Sequence, residues 1–517
     1  MLREVRIKNG LVRGLPAADP RITSFKGIPY AAPPIGPNRW RAPQPAEDWN
    51  GVLEAFQFGP IAMQAVPGIN KDNIYDFEWH VDPNVPMSED CLQLNIWTPA
   101  TSREDRLPVF VWFFGGGLQV GYPSEMEFDG ERIARRGVVV VTINYRLNVF
   151  GFLCHPEITR EAPEAPANFG HLDQQFAVRW VQENISAFGG DPKNITIGGQ
   201  SAGGGSVLAQ LTSPQNEGLC QRAIIQSGMF APVYPDNRRP PRGISLTDAE
   251  QAGVEFFNYL GVSSLEEARQ LDAEFIRNKA LEYGRFWGTV VDGQFCVGDP
   301  FQLFVENRRL QVPVLMGHTS SEFISRPQVE TKEELQKLAY ELFSEDAPEF
   351  LALLGFDNSS LEEALEKAAV NTIEYAVRVA GHANAVTGSN LSVYYYNFDA
   401  EIPGPDNPGA FHSVDLWFFF ETLAKCWRPF VGKHYDLARQ MCNYWANFIE
   451  NGDPNGLDAT GEQMPYWSPY TNDEPFGMLF QDAPEFSKQK PSAVMEFLIN
   501  QFFKGSEPLE RGGDAKR

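Results

Sequence analysis

Residues 188–211 read FGGDPKNITIGGQSAGGGSVLAQL, and this stretch gives the strongest indication of the fold. The β-branched run Ile195–Ile197 predicts a short strand, Gly198–Ser201 a sharp turn, and Ala202 onward a helix. The turn contains GQSAG (199–203), which fits the pattern G-x-S-x-G. Glycines flank the serine of that pattern because the turn is tight and neighbouring backbone passes close to it. The stretch therefore predicts a serine raised on a turn between a strand and a helix.

The serine of this motif, Ser201, is a candidate nucleophile. The motif alone is a weak signal in a chain with 45 glycines, because chance matches to so short a pattern are common. Its place between a strand and a helix start strengthens it, since a helix N-terminus favours negative charge nearby. The alternative is a glycine-rich turn, like a phosphate loop without its lysine.

Strand-like runs alternate with helix-like segments on both sides of this stretch. Strands are predicted at Gln93–Thr98, Pro108–Phe114, Val138–Asn144, Arg222–Gln226, Val312–Met316 and Ser392–Asn397. Helices are predicted at Met126–Arg136, Leu172–Ala187, 245–282, 330–386 and Tyr435–Glu450. The alternation predicts the α/β class, with a large, mostly parallel central sheet, helices on both faces and helical insertions.

The 517 residues are predicted to form one domain, 1–517. A prior of about 150 residues per domain would allow three. Strand signals nevertheless resume after the helical segments 245–282 and 330–386, and no linker or repeat divides the chain. The last stretch, 505–517, is polar and glycine-rich and is predicted to be a disordered tail.

The composition excludes some partners. The chain carries 43 Lys and Arg against 67 Asp and Glu, a net charge of −24, so nucleic acid is not an expected partner. Its longest apolar stretches, Leu107–Phe114 and Gly137–Val141, are far shorter than the roughly 18 residues of a membrane span.

No CxxC pair is present, so no metal is expected. The charged start MLREVRIKNG shows no apolar signal region, so a cytoplasmic location is expected.

A glycine-rich loop upstream of the serine offers hydrogen-bond donors. Residues 114–118 read FGGGL and close the predicted strand at 108–114. A hydrolytic serine needs donors for the negatively charged oxygen of its tetrahedral intermediate. Successive glycines let backbone N–H groups point into a site with no Cβ in the way, so we expect them to act with the N–H of Ala202. The alternative is a flexible loop.

A serine of this kind is followed along the chain by an acid and then a histidine. The histidines after Ser201 are His318, His382, His412 and His434. His412 opens an aromatic segment and His318 follows a strand. His382 and His434 lie in polar helical contexts that are typical of surface residues.

Longer motifs carry a resemblance to a known family. They include FKGIPYAAPPIGPNRW, SEDCLQLNIWTP, FGGGL, INYRLNVFGF, LDQQFAVRWVQENISAFGGDPKNITIGGQSAGG, IIQSG, VVDGQF and MCNYWANFIENGDPN. Over essentially residues 3–503 the chain resembles the type-B carboxylesterases, the cholinesterase-like branch of the α/β-hydrolase fold. The resemblance implies that fold and the hydrolysis of carboxylic esters without a cofactor.

The resemblance implies roles for matching residues. Ser201 is the implied nucleophile, Glu322 of GHTSSEF the acid, and His412 of AFHSVDL the base. Asp292 and Asp299 also satisfy the chain order, but Glu322 directly follows a predicted strand, where the loop that carries the acid belongs. The other implied positions are the oxyanion donors Gly116, Gly117 and Ala202, the supporting residues Ser227, Asp415 and Gln200, and a structural salt bridge between Arg39 and Glu89.

The chain departs from the family pattern at four places. Gln200 stands where Glu is usual before the serine, and Phe114 stands where His or Tyr commonly opens the glycine loop. Cys91 lacks the partner of the family's first disulfide and is expected to be a free thiol. Trp79 lies out of register with the tryptophan of the choline-binding loop. The changes at Gln200 and Trp79 argue against a cationic choline substrate.

These observations predict a serine carboxylic-ester hydrolase that acts through an acyl-enzyme intermediate. Its expected partner is a small-molecule ester, neutral, with an aromatic or short apolar acyl group. The expected pocket residues are Phe114, Tyr283, Phe286 and Trp287. The alternatives are an amidase or peptidase with the same triad and a non-catalytic relative of the adhesion type.

Overall fold

Apolar, β-branched and aromatic runs form the strands of the protein. The computed structural model describes residues 1–70, 72–231, 233–235, 243–387, 391–458, 460–488 and 490–504. The predicted tail at 505–517 lies outside the described residues. The strands are β1 (Glu4–Ile7), β2 (Gly10–Arg13), β3 (Leu15–Pro16), β4 (Thr23–Pro29), β5 (Val52–Glu54), β6 (Gln93–Thr98), β7 (Leu107–Phe113), β8 (Val139–Ile143), β9 (Gly190–Gln200), β10 (Arg222–Gln226), β11 (Ile244–Ser245), β12 (Val290–Val291), β13 (Val314–Thr319), β14 (Ile324–Ser325), β15 (Val370–Asn371), β16 (Val393–Phe398), β17 (Gly477–Phe480) and β18 (Pro484–Ser487).

Helices surround these strands. They are α1 (Ile74–Glu78), α2 (Glu131–Ala134), α3 (Asn148–Phe152), α4 (Pro156–Glu161), α5 (Phe169–Asn184), α6 (Ala202–Thr212), α7 (Leu246–Leu260), α8 (Leu265–Gln270), α9 (Ala273–Tyr283), α10 (Pro300–Val305), α11 (Lys332–Phe343), α12 (Ala347–Leu353), α13 (Leu361–Ala368), α14 (Thr372–Val386), α15 (Asp415–Phe419), α16 (Gly432–Asn451) and α17 (Ala493–Lys504). None of the helices in the described part of the chain combines the length and hydropathy of a membrane-spanning segment.

The main sheet is mixed, with a parallel middle. In the described residues its eleven strands lie in the order β18-β17-β16-β13-β10-β9-β7-β8-β6-β4-β3. The strands from β17 to β8 pair in parallel, and antiparallel strands close both edges. Every residue of β8 and β13 is buried, as expected for strands covered on both faces. The predicted α/β class and mostly parallel sheet are confirmed.

The strand register brings the chemistry-bearing loops to one edge of the sheet. Gly199 of β9 pairs with Phe113 of β7, and Gln200 pairs with Gln226 of β10. Gln226 in turn pairs with Gly317 of β13. Because parallel strands end at the same edge, the loops after β7, β9, β10 and β13 lie side by side.

Three local predictions differ from the structure. Strand β9 runs to Gln200, so the turn is confined to Ser201, whereas the sequence predicted a turn over Gly198–Ser201. The helix predicted at Met126–Arg136 is divided into a 3-10 turn (Met126–Phe128) and α2. It is interrupted at Asp129, because the backbone there is extended and the Asp129 side chain accepts the Glu131 N–H at 3.0 Å. The sequence predicted His434 at the surface, whereas it is buried. Its Nδ1 accepts the Val431 N–H at 3.0 Å, which holds the ring against the start of α16.

The salt bridge that the resemblance implied is present and buried. Arg39 Nε and Nη2 lie 2.7 and 2.6 Å from the two carboxylate oxygens of Glu89. Cys91, close to it in sequence, is buried and has no disulfide partner. Burial raises the pKa of the Cys91 thiol well above its usual range.

Candidate active site

Ser201 lies on a strained turn between β9 and α6. Its backbone has φ 54° and ψ −125°, a conformation that non-glycine residues rarely adopt. The Ser201 N–H donates to the Gln226 carbonyl oxygen at 2.9 Å, which fixes the turn on the neighbouring strand β10. The strain raises the hydroxyl above the sheet edge, as the G-x-S-x-G motif predicts.

His412 lies between the serine and an acid. Its Nε2 is 2.8 Å from Ser201 Oγ, and its Nδ1 is 2.5 Å from Glu322 Oε2. The loops that carry the acid and the histidine are joined, because the Ser321 N–H donates to the Ala410 carbonyl at 3.0 Å. The structure thus brings three side chains together, although Ser201 and His412 are separated by 211 positions in the sequence.

Glu322 is held as a carboxylate inside the protein. Its Oε1 accepts the Thr319 N–H at 3.1 Å. Burial favours the protonated form, but His412, and after it the Ser227 hydroxyl, outweigh burial and lower the pKa of Glu322 below its usual value. A charged Glu322 can accept the Nδ1–H of His412 and leave Nε2 free to accept the serine proton.

The glycine loop lies directly against the serine. A Cβ added to Gly115 would come within 2.8 Å of the Gln200 carbonyl and 3.1 Å of Ser201 Cβ. Gly116 and Gly117 have φ of 110° and 66°. No described residue accepts a hydrogen bond from the backbone N–H of Gly116 or Gly117. These two donors are therefore available to an oxyanion, as is the N–H of Ala202 in the first turn of α6.

The predicted supporting residues lie behind the histidine and the acid. Ser227 is buried with φ 46° and lies next to Glu322 rather than His412. Asp415 does not touch His412 directly and accepts from Tyr396 Oη at 2.8 Å and Gln226 Nε2 at 3.1 Å. Burial raises the pKa of Asp415 to about 6. Gln200 lies closest to the reaction, with its Nε2 3.3 Å from His412 Nε2.

The rival acids and histidines have other partners. Asp292 accepts the N–H groups of Gln294 and Cys296, each at 2.9 Å, and Asp299 caps α10. His318 is buried between Tyr395 Oη and the Thr319 carbonyl oxygen. His382 is half-buried and its ring contacts Phe503.

A cavity of about 580 Å³ opens over Ser201 and His412. Much of its wall comes from a segment before β6, here called the cap segment (residues 64–70 and 72–80), for which the sequence predicted no position. Trp79 of this segment stacks on Phe411 at 6.2 Å and lines the cavity. The sequence feature that could have indicated this wall is the aromatic cluster IYDFEW (74–79). Its residues show no periodicity, so their place over the site could not be predicted.

The predicted pocket residues lie in three places. Phe114 does not line the cavity, because its ring is fully buried and stacks on Tyr145 at 4.3 Å. Tyr283 packs on Phe256 at 5.4 Å. Phe286 and Trp287 line a smaller neighbouring cavity of about 280 Å³, and Phe286 lies close to Gly117. The described residues contain no group of three His, Cys, Asp or Glu side chains arranged to hold a metal ion.

Comparisons with known proteins agree with this geometry. The model of the carboxylesterase family matches residues 2–497. The chain belongs to the carboxylesterase family. The esterase is 32% identical to the acetylcholinesterase of Bungarus fasciatus, over 91% of this chain and 82% of that protein.

Solved structures show the same architecture. One PNB esterase structure is 29% identical and has a TM-score of 0.77, covering 96% of this chain and 99% of the other. A carboxylesterase of Geobacillus stearothermophilus is 30% identical with a TM-score of 0.71, over 96% of this chain and all of that one. The esterase therefore has the α/β-hydrolase fold and is a carboxylic ester hydrolase.

Proposed function

We propose that this esterase cleaves its substrates through an acyl-enzyme on Ser201. The observation that carries the proposal is the continuous contact from Ser201 Oγ to His412 Nε2 at 2.8 Å and from His412 Nδ1 to Glu322 at 2.5 Å. The geometry suits a serine whose proton leaves to a histidine held in one tautomer by a buried carboxylate.

The proposed reaction has two halves. Ser201 Oγ attacks the ester carbonyl as its proton moves to His412 Nε2. The N–H groups of Gly116, Gly117 and Ala202 hold the oxyanion. His412 then gives the proton to the leaving alcohol oxygen as the ester C–O bond breaks. Water repeats the sequence on the acyl-enzyme and releases the acid.

The acyl part of the substrate is proposed to be apolar and uncharged. Phe286 and Trp287 line the smaller cavity, and Phe286 lies beside Gly117, where the acyl carbonyl would be held. Aromatic side chains favour apolar groups, because burying them removes apolar surface from water. Aromatic and short alkyl acyl groups are therefore the proposed acyl substrates.

Replacing the nucleophile tests the proposal. Ser201→Ala is expected to abolish the turnover of p-nitrophenyl esters, because no hydroxyl is left to form the acyl-enzyme, whereas the matched control Ser245→Ala keeps it. An organophosphate should label Ser201 in the unmodified protein. Turnover retained in S201A, with the label on another residue, would overturn the proposal. Turnover of matched p-nitroanilides at the same rate would favour an amidase instead.

A further inference from the structure

The larger cavity, which opens over Ser201, has a negative wall. Asp76 and Glu125 line it, and no lysine or arginine is among the described residues that do so. His80 lines it as well. Burial opposes charge on this histidine, but Glu125 and Asp76 outweigh burial and raise its pKa. One imidazolium balances only one of the two carboxylates, so an anion in this cavity is repelled by the charge that remains.

The smaller cavity has a positive wall. Arg277 and Arg285 line it, and its described lining residues include no aspartate or glutamate. Gln64, Ala65 and Val120 line both cavities, so the two adjoin. The active site therefore lies between a region that repels anions and a region that attracts them.

The guanidinium of Arg285 has open hydrogen-bond donors. It lies 5.5 Å from the centre of the Trp287 ring, and it forms no hydrogen bond or ion pair with any residue that the structure describes. The residue is half-buried, so its charge is only partly screened by water. A guanidinium presents five N–H donors in a planar fork, and this geometry matches the two oxygens of a carboxylate.

Arg277 brings a second positive charge to the same cavity. Its side chain is 15% exposed, and its Nη2 pairs at 3.0 Å with Glu274, whose side chain is 68% exposed. The acceptor for its Nη1 is the sulfur of Met87 at 3.5 Å. A thioether is a weak acceptor, so a carboxylate oxygen is a better partner for this N–H.

The loop that carries Arg285 is held against the oxyanion loop. Gln119 Nε2 donates to the Trp287 carbonyl oxygen and, at 3.2 Å, to the Gly117 carbonyl oxygen. Gln119 Oε1 accepts the Trp287 N–H at 3.4 Å. A Cβ added to Gly117 would lie 4.0 Å from the Phe286 ring. These contacts place the positive cavity beside the donors that hold the acyl carbonyl in the proposed reaction.

The proposed reaction changes the charge of the acyl part. Water attacks the acyl-enzyme, the bond from the acyl carbon to Ser201 Oγ breaks, and the serine takes back its proton from His412. The released carboxylic acid loses its own proton to water at neutral pH, because the pKa of such acids is about 4. The acyl part therefore arrives as a neutral group and leaves as an anion.

We propose that Arg277 and Arg285 bind the carboxylate of the acid product, while its hydrocarbon part lies against Phe286 and Trp287. Charge draws this anion away from the acidic wall of the larger cavity. The bound acid occupies the place of the next acyl group, so it inhibits in competition with the ester. This inference rests on the proposed function, which assigns the acyl part to the smaller cavity.

Matched pairs of inhibitors test the inference on the unmodified esterase. Butyrate, hexanoate, benzoate and 3-phenylpropionate are compared with their primary carboxamides in the hydrolysis of p-nitrophenyl butyrate at neutral pH and constant ionic strength. The best acid is expected to raise KM without lowering kcat and to bind at least fivefold more tightly than its amide. Equal inhibition by acid and amide, or an acid that lowers kcat alone, would overturn the inference. No hydrolysis of p-nitrophenyl butyrate would overturn the proposed function instead.

Variants assign the carboxylate to the two arginines. Arg277→Met and Arg285→Met are each expected to weaken inhibition by the acid at least threefold and to leave inhibition by the amide unchanged, because only the charge is lost. Arg285→Lys should keep the preference for the acid. Lys279→Met is the matched control, since Lys279 lies on α9 with Arg277 but pairs with Glu282 and lines neither cavity. Acid inhibition that is unchanged in both arginine variants, or equally weakened in K279M, would overturn the inference.

Inorganic phosphate distinguishes a site for the acid product from a site for any anion. At the same ionic strength, phosphate is expected to inhibit at least tenfold more weakly than the best acid, because it has no hydrocarbon part to bury against Phe286 and Trp287. Equal inhibition by phosphate would overturn the inference. Organophosphate labelling of Ser201 verifies that each variant keeps a folded site.

Discussion

Three of the carboxylates between Ser201 and His412 were candidates for the acid, and their neighbours give them different tasks. Glu322 contacts His412 Nδ1, whereas Asp292 closes a turn and Asp299 caps a helix. A carboxylate in contact with Nδ1 fixes the tautomer that leaves Nε2 free to take a proton. The candidate acid is thus defined by one contact rather than by residue type.

Removing the charge of the candidate acid tests that contact. Glu322→Gln is expected to lower kcat for p-nitrophenyl butyrate by about 10³–10⁴-fold, because the amide no longer stabilises the imidazolium or its tautomer. Steady-state kinetics measure the change. Asp299→Asn is the control and should keep kcat, since Asn caps helices as well as Asp does. A similar loss in both variants would contradict the assignment of Glu322.

Asp415 makes folding stability depend on pH. Its pKa in the folded protein is about 6, above the ordinary value of 3.8. A raised folded pKa means that the contribution to stability is complete below pH 3.8 and is lost as pH rises through 6. Asp415→Asn removes this loss, so its stability relative to the unmodified protein should rise between pH 4 and 7 by about 3 kcal/mol at most.

Chemical unfolding of both proteins across that pH range measures the difference. Asp436→Asn is the control, because Asp436 is exposed and its ion pair among the described residues is with Arg439 along its own helix. A stability difference between D415N and the unmodified protein that stays constant with pH would contradict the prediction.

At the scale of elements, the site depends on how closely α6 packs on the sheet. A Cβ on Gly199 of β9 would overlap the backbone of Gly203, and a Cβ on Gly203 would overlap the carbonyl oxygen of Phe113 in β7. The glycines around Ser201 therefore serve the approach of helix to strand, while Ser201 alone adopts the strained turn.

Filling this contact should separate the helix from the sheet. Gly203→Ala is expected to destabilise the esterase by about 1–3 kcal/mol and to lower kcat, because α6 must move away from the loop that holds the oxyanion. Thermal unfolding and kinetics measure both effects. Gly205→Ala, in the same helix, is the control. Its Cβ would meet only the Gly228 carbonyl at 3.7 Å, so it should stabilise the helix slightly. Equal effects at the two positions would contradict the packing argument.

At the scale of the whole molecule, the charge of −24 creates a negative field around a cavity that is itself acidic. An anionic ester approaching this cavity is repelled over a distance that depends on salt, because the screening length is about 30 Å at 0.01 M and about 10 Å at 0.1 M. Neutral esters do not experience this repulsion.

Salt should therefore distinguish two esters of similar size. Raising the ionic strength from about 0.01 M to about 0.2 M is expected to raise kcat/KM several-fold for the p-nitrophenyl half-ester of glutaric acid. The neutral p-nitrophenyl butyrate is the control and should change little. The same salt response for both esters would show that the field of the molecule does not affect its substrates.

The parts of the protein whose structure is local could be predicted from the amino-acid sequence. The β-branched strands, the elbow at Ser201 and the glycine loop follow from residue type and short spacing, because tight turns and buried strands accept few residues. Glu322 was found through the resemblance and through its place after a predicted strand, and His412 through the resemblance and the order of the three residues along the chain. The position of Glu322 could be predicted because parallel strands end at one edge of the sheet.

The surroundings of these residues could not be predicted in this way, because they depend on tertiary packing. The cap segment has no periodicity, so its place over Ser201 depends on long-range contacts such as the stacking of Trp79 on Phe411. Stacking on Tyr145 buries Phe114, which therefore does not line the cavity. Tertiary contacts also bury Glu127 beside Glu125. Burial and partner choice are properties of packing between distant parts of the chain, and no local pattern specifies them.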